Sequence, residues 1–181
     1  GGSEVAQMHG RSFLDVLDQE NPEGWNEVYA SHTFHETQMY YPMRVVRDRQ
    51  YKLIWNIAHD LPYPFASDLW AAPTWQDVYA KGMEAMYGKR TVQAYIHRPE
   101  FELYNLEADP HETNNLAGHG DYQAILTRYQ QKIREFQEST GDSLPSFRTP
   151  DEFDREEGTR LPNWKMPRTT KEEFMSGAGE E

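Results

Sequence analysis

The chain has 181 residues, 37% hydrophobic, 13% aromatic and 27% charged, with a mean hydropathy of -0.92 and a net charge of -12. That is the composition of one folded domain with long polar margins. It argues against nucleic acid and anionic membranes as partners, and no apolar run is long enough to span a bilayer. Cysteine is absent, which excludes a disulfide framework, a thiolate metal site and a cysteine nucleophile. No Asn-x-Ser/Thr site occurs either, and together these lean toward a bacterial source.

Residues 1–24 hold one apolar cluster, Phe13, Leu14, Val16 and Leu17, before the turn signal Asn21-Pro22-Glu23-Gly24. They read as a connector arriving from elsewhere. The first residues show no signal-peptide pattern, so the compartment is not legible from them. From Met43 to Ile57 the period is two, with Asp48-Arg49-Gln50 as a turn, which predicts an antiparallel hairpin with one buried face. Tyr51, Leu53, Trp55 and Ile57 share that face. Residues 58–73, rich in proline and aromatics, read as an ordered loop. Thr74 with Asp77 suggests a capping box opening a helix from Trp75 to Tyr87, stopped by Gly88.

Phe101-Glu102-Leu103-Tyr104 reads as a strand that ends before Pro110. Asp109 is then expected as a helix N-cap, Pro110 as its first residue and Glu112 as the side chain reaching back, with Asn114 or Asn115 left-handed. On this reading the cluster is punctuation between a strand and a helix, rather than a metal site. After Gly120, the residues Tyr122, Ile125, Leu126, Tyr129, Ile133 and Phe136 recur at helical spacing. They predict a helix that covers the sheet, capped by Asp121 and closed by Gly141. Residues 143–181 are Pro-rich and charged and read as an extended, partly disordered tail with anchors at Phe147, Phe153, Leu161 and Trp164. The expected fold class is therefore α+β. A small antiparallel sheet of about four strands packs against a long amphipathic helix within residues 25–142.

The order Glu102-Leu103-Tyr104, Asp109-Pro110-His111-Glu112-Thr113-Asn114-Asn115-Leu116, then a long amphipathic helix, resembles the C-terminal subdomain of sulfatases. "FHETQMYYPMR", Phe34 to Arg44, and "PTWQD", Pro73 to Asp77, resemble the heparan N-sulfatase branch, the N-sulfoglucosamine sulfohydrolases. The resemblance covers residues 10–140. It implies a sulfated glycan as substrate of the complete protein, a catalytic domain preceding this segment, and a periplasmic or secreted setting. It also implies calcium and a formylglycine matured from a C/S-x-P-x-R motif. That motif is absent here, since Pro145-Ser146-Phe147-Arg148 has the wrong order. No catalytic residue and no cofactor are therefore assigned to this segment, which is expected to be inactive alone.

His35 and Glu36 are the candidate substrate contacts. They lie at a boundary between loop and strand, where an imidazole can donate to sulfate and a carboxylate can accept from a sugar hydroxyl or an ammonium. A hydrogen-bonded pair that merely fixes the loop is the alternative, and the resemblance favours pocket lining. A metal site of His32, His35 and Glu36 lacks a further ligand, and the family's calcium prefers oxygen. Arg44 could reach a sulfate, but pairing with an acid on the sheet is favoured. Tyr40, Tyr41, Trp70 and Trp75 read as core. Two further functions remain open: a stand-alone binding module of the same shape, and a small metal-dependent hydrolase.

Overall fold

The computed structural model describes residues 10–35 and 39–142. The expected tail, 143–181, lies outside them. Four antiparallel strands, β1 (Val28–His32), β2 (Met43–Arg47), β3 (Tyr51–Asn56) and β6 (Phe101–Asn105), form one sheet in the order β1-β2-β3-β6. The helix α4 (Gln123–Thr140) packs across one face. Between β3 and β6 the chain leaves the sheet to build a smaller unit from α1 (Ser67–Ala71), α2 (Pro73–Tyr79), the short hairpin β4 (Met86–Tyr87) and β5 (Arg90–Thr91), and α3 (Val92–Ile96). The α+β architecture matches the expectation.

The β2–β3 turn is made by Asp48. Its Oδ1 accepts from the amides of Gln50 (2.9 Å) and Tyr51 (2.7 Å), the Asx arrangement that aspartate favours in turns. Its Oδ2 accepts from the Tyr129 hydroxyl of α4. One side chain thus closes the hairpin and anchors the helix. Burial lifts the Tyr129 hydroxyl pKa, and the Asp48 hydrogen bond and charge raise it further, so the phenol stays a donor.

The register Val46↔Leu53↔Leu103 places three fully buried residues in line beneath Leu126, Tyr129 and Ile133. Phe136 stays partly exposed and stacks on Tyr29 of β1, centroids 4.3 Å apart. Gly141, at φ 68, ends the helix, and the Asp142 amide bonds the Gln137 carbonyl as in a Schellman closure. Asp121 does not cap α4. The cap position is Tyr122, which makes no side-chain cap bond, because a single 3-10 turn at Gly120–Tyr122 leads into the helix.

Four further expectations are corrected. The hairpin is buried on both faces at β3, where Ile54 and Asn56 are covered as well as Leu53, because residues 57–99 fold back over the reverse side. Residues 67–71 of the expected loop are helical. The helix begun at Pro73 ends at Tyr79 rather than Tyr87. Gly88, at φ 66, turns a hairpin in which Met86 pairs with Thr91 and Tyr87 with Arg90. Thr74 and Asp77 form no capping box, since Ala72 occupies the cap and Asp77 pairs with Lys81 one turn on.

The Asp109–Asn115 stretch opens no helix. Asp109 Oδ2 accepts from the amides of Thr113 (2.7 Å) and Asn114 (2.8 Å) and so holds a turn. The left-handed residue is Glu112, φ 55, not an asparagine. Its carboxylate leaves the turn to bond Lys52 Nζ at 2.7 and 3.0 Å, and its carbonyl accepts from Arg90. Asn115 completes the β6 edge. Its Oδ1 accepts from Leu103 N, and its Nδ2 donates to Phe101 O. The polar cluster is structural punctuation, as the sequence suggests, but by different bonds.

Candidate functional site

The loop between β1 and β2 carries the proposed substrate contacts. Its base is closed by Tyr41 N to Thr33 O (2.9 Å) and by His32 Nδ1 against Tyr41 O (3.1 Å). Tyr41 is fully buried with Ala58 and Leu61 and meets the Tyr63 ring edge-on at 5.1 Å. The loop therefore stands on a rigid aromatic base. His35 is exposed above it, and Glu36 lies outside the described residues. His32 is committed to the loop base, and among the described residues no group of three or more His, Cys, Asp or Glu could hold a metal. The trio His32, His35 and Glu36 is thus not assembled by what is described.

Arg44 sits below the same loop, almost fully buried. Its Nε and Nη2 donate to Asp142 at 2.5 and 2.9 Å, and its Nη1 donates to the carbonyls of Met43 and His32. The acid partner lies just past α4 rather than on the sheet, so the guanidinium is spent on pinning the helix end to the loop. Tyr40, next to the loop base, has its hydroxyl pKa raised by burial, with Arg44 opposing. Trp75 and Tyr41 are core, as expected, whereas Trp70 is 43% exposed.

The reverse face of the sheet holds a feature with no signal in the sequence pattern. Glu102, 2% exposed, accepts from Asn56 Nδ2 (2.8 Å) and Tyr104 Oη (2.5 Å). Arg90 and Arg98 stand 3.6 and 3.9 Å from its carboxylate. Burial, then the Glu102 charge and hydrogen bond, hold the Tyr104 hydroxyl pKa far above its ordinary range. Alternation puts Glu102 and Tyr104 on a common face, but only the folding-back of residues 57–99 shows that this face is buried. The two arginines come from that segment and fasten it to the sheet.

The four-stranded antiparallel sheet under a long C-terminal helix matches the C-terminal subdomain of sulfatases, and the chain's relatives by sequence are sulfatases. Among the relatives, human N-sulphoglucosamine sulphohydrolase is 33% identical over 144 residues, covering 78% of this chain and 28% of that protein. An ulvan-active sulfatase of Formosa agariphila is 30% identical over 146 residues, covering 80% and 27%. Two solved structures share the fold. One, in complex with its substrate D-glucosamine-2-N,6-O-disulfate, has TM-score 0.50 and 20% identity over 81% of this chain and 23% of that one. The other, a 2-O GAG sulfatase, has TM-score 0.52 and 18% identity over 80% and 23%. No family model matches the chain. The chain thus spans just over a quarter of the length of the curated relatives it matches.

Proposed function

We propose that this segment serves a sulfatase that removes sulfate from a glycan, with the N-sulfate of a glucosamine as its target. The observation that carries this reading is the 33% identity with N-sulphoglucosamine sulphohydrolase over most of the chain. The segment contributes a pocket wall, the β1–β2 loop, from which His35 and Glu36 contact the sugar or its sulfate. Residues 1–24 connect it to a catalytic domain, and the exposed Phe13, Leu14 and Leu17 support a docking role for that stretch. The family's calcium and formylglycine do not fit this segment, which has no cysteine and no C/S-x-P-x-R motif, so its residues carry no bond-making or bond-breaking step. The complete protein works in a periplasmic or secreted setting, and no described helix is long and apolar enough to cross a membrane.

The test uses the complete protein from the parent gene. It releases sulfate from N-sulfoglucosamine at least about tenfold faster than from a 6-O-sulfated analogue, the scale of one or two hydrogen bonds gained in the transition state. His35→Ala and Glu36→Gln each raise KM about tenfold, the loss of one contact worth ~1–1.5 kcal/mol. Unchanged KM in both variants removes these residues from the pocket, and preference for the O-sulfate removes the N-sulfate assignment. Sulfate release by the 181-residue chain alone would overturn its expected inactivity.

A further inference from the structure

Residues 62–96 enclose an aromatic cleft of about 340 Å³ on the small unit beside the sheet. Tyr63, Pro64, Phe65, Trp70, Tyr79 and Met83 form most of its wall. Trp70 meets Phe65 and Tyr79 at steep angles, 60° and 62°, with centroids 5.8 and 5.1 Å away. Trp70 also contacts Trp75 at 6.2 Å, yet Trp70 and Leu69 remain 43% and 56% exposed. Among the described residues no lysine or arginine lines the cleft. Arg98 stacks on the Tyr63 ring of the wall at 4.2 Å and pairs with the buried Glu102, and Asp77 pairs with Lys81, which leaves Asp68 before Trp70 and Glu84 after Met83 as the exposed charges beside the lining residues. An aromatic and proline-rich groove whose exposed neighbouring charges are acidic, and whose one adjacent guanidinium is already paired with Glu102, disfavours a sulfated polyanion. It suits an extended proline-containing peptide that carries positive charge.

Such a peptide exists in this chain. Between Gly158 and Lys171 the sequence Gly-Thr-Arg-Leu-Pro-Asn-Trp-Lys-Met-Pro-Arg-Thr-Thr-Lys holds four cations and no acid, in a chain whose net charge is -12. Acid-rich stretches flank it on both sides, Asp151–Glu157 and Glu172–Glu173. Pro162 and Pro167 favour the extended conformation that aromatic grooves recognise, and Trp164 lies between them. Reach is ample: the stretch from Asp142 to Leu161 extends up to ~60 Å, against a radius of gyration of ~14 Å for a domain of this size. Tethering gives the peptide an effective concentration in the millimolar range, so even a weak site would be occupied. We propose that the segment Arg160–Arg168 docks in the Trp70 cleft of its own chain, with Pro162 and Trp164 on the aromatic wall and its cations toward Asp68 and Glu84. This inference is independent of the substrate assigned above.

The experiment is hydroxyl-radical footprinting of the 181-residue chain, read by mass spectrometry at Trp70 and Tyr79. Two variants are compared with the unaltered chain: Pro162→Ser with Trp164→Ala, and Arg160→Glu with Lys165→Glu and Arg168→Glu. All five positions lie outside the strands and helices described above. The expected result is a severalfold rise in modification of Trp70 and Tyr79 in both variants, with Tyr122 beside α4 unchanged. Equal rates in all three proteins overturn the proposal. So does protection that disappears on dilution, which would mean exchange between copies. Protection that appears only with an added N-sulfoglucosamine disaccharide, and is indifferent to the tail variants, identifies a glycan site and also overturns it.

Discussion

On the side of the sheet that meets α4, Val46, Leu53 and Leu103 are sealed from water by Leu126, Tyr129 and Ile133. On the reverse side, β3 and the edge strand β6 bury Asn56 and Glu102 beneath residues 57–99. The first interface is apolar and joins elements by area removed from water. The second is a hydrogen-bonded ionic cluster in which one carboxylate receives Asn56, Tyr104, Arg90 and Arg98. An apolar interface tolerates repacking, whereas a buried carboxylate fixes where its donors must be. The difference teaches why residues 57–99, which contribute no strand to the main sheet, still hold one position on it.

The comparison breaks first at Glu102. Glu102→Ala strands two arginines near a buried site and is expected to destabilise by about 3–5 kcal/mol. A urea-unfolding loss near zero would show that the arginines find water instead. Leu103→Ala, its neighbour facing α4, is expected to cost about 2–5 kcal/mol through lost burial and a residual cavity. The two variants should differ in kind: the first frees residues 57–99 for proteolysis while the helix side persists, and the second lowers protection on both sides together. Digestion patterns that do not distinguish them would remove the claim that the faces are held independently.

Smaller effects sharpen the same contrast. Tyr129→Phe keeps the apolar ring but loses the bond to Asp48, and about 1 kcal/mol should disappear from the unfolding free energy. Both the helix and the hairpin turn should show faster amide exchange. The smallest expected effect is at Asp109. The amide of Asn114, with that of Thr113, holds its carboxyl pKa below the ordinary carboxylate range although the residue is only partly buried. A depressed folded pKa means stability that is present above the unfolded value of about 3.9 and lost as pH falls through the folded value. Protection of the Thr113 and Asn114 amides, measured as exchange relative to the intrinsic rate at each pH, should fall at acid pH in the parent. In Asp109→Asn the protection should be low throughout and independent of pH, and a parent-like loss of protection at acid pH in the variant would point to another titrating group.

Local chemistry is readable wherever neighbours in sequence do the bonding. The period of two over Met43–Ile57, the Asp48 turn, the stripe on α4 and the Gly141 stop follow from side-chain alternation and backbone preference alone. The sulfatase-type order of strand, Asp-Pro turn and helix is equally visible. Assignments that depend on distant partners are the ones that local pattern misplaces. Glu112 is placed by pattern to reach back to its own turn, yet Lys52 and Arg90 draw it away. Gly88 looks like a helix stop, yet it turns a hairpin whose second strand begins at Arg90. Glu102 and Tyr104 share a face by alternation alone. Their burial with Arg98 is decided by a segment whose aromatics carry no period, because packing against a second layer is a property of three-dimensional proximity that no local pattern encodes.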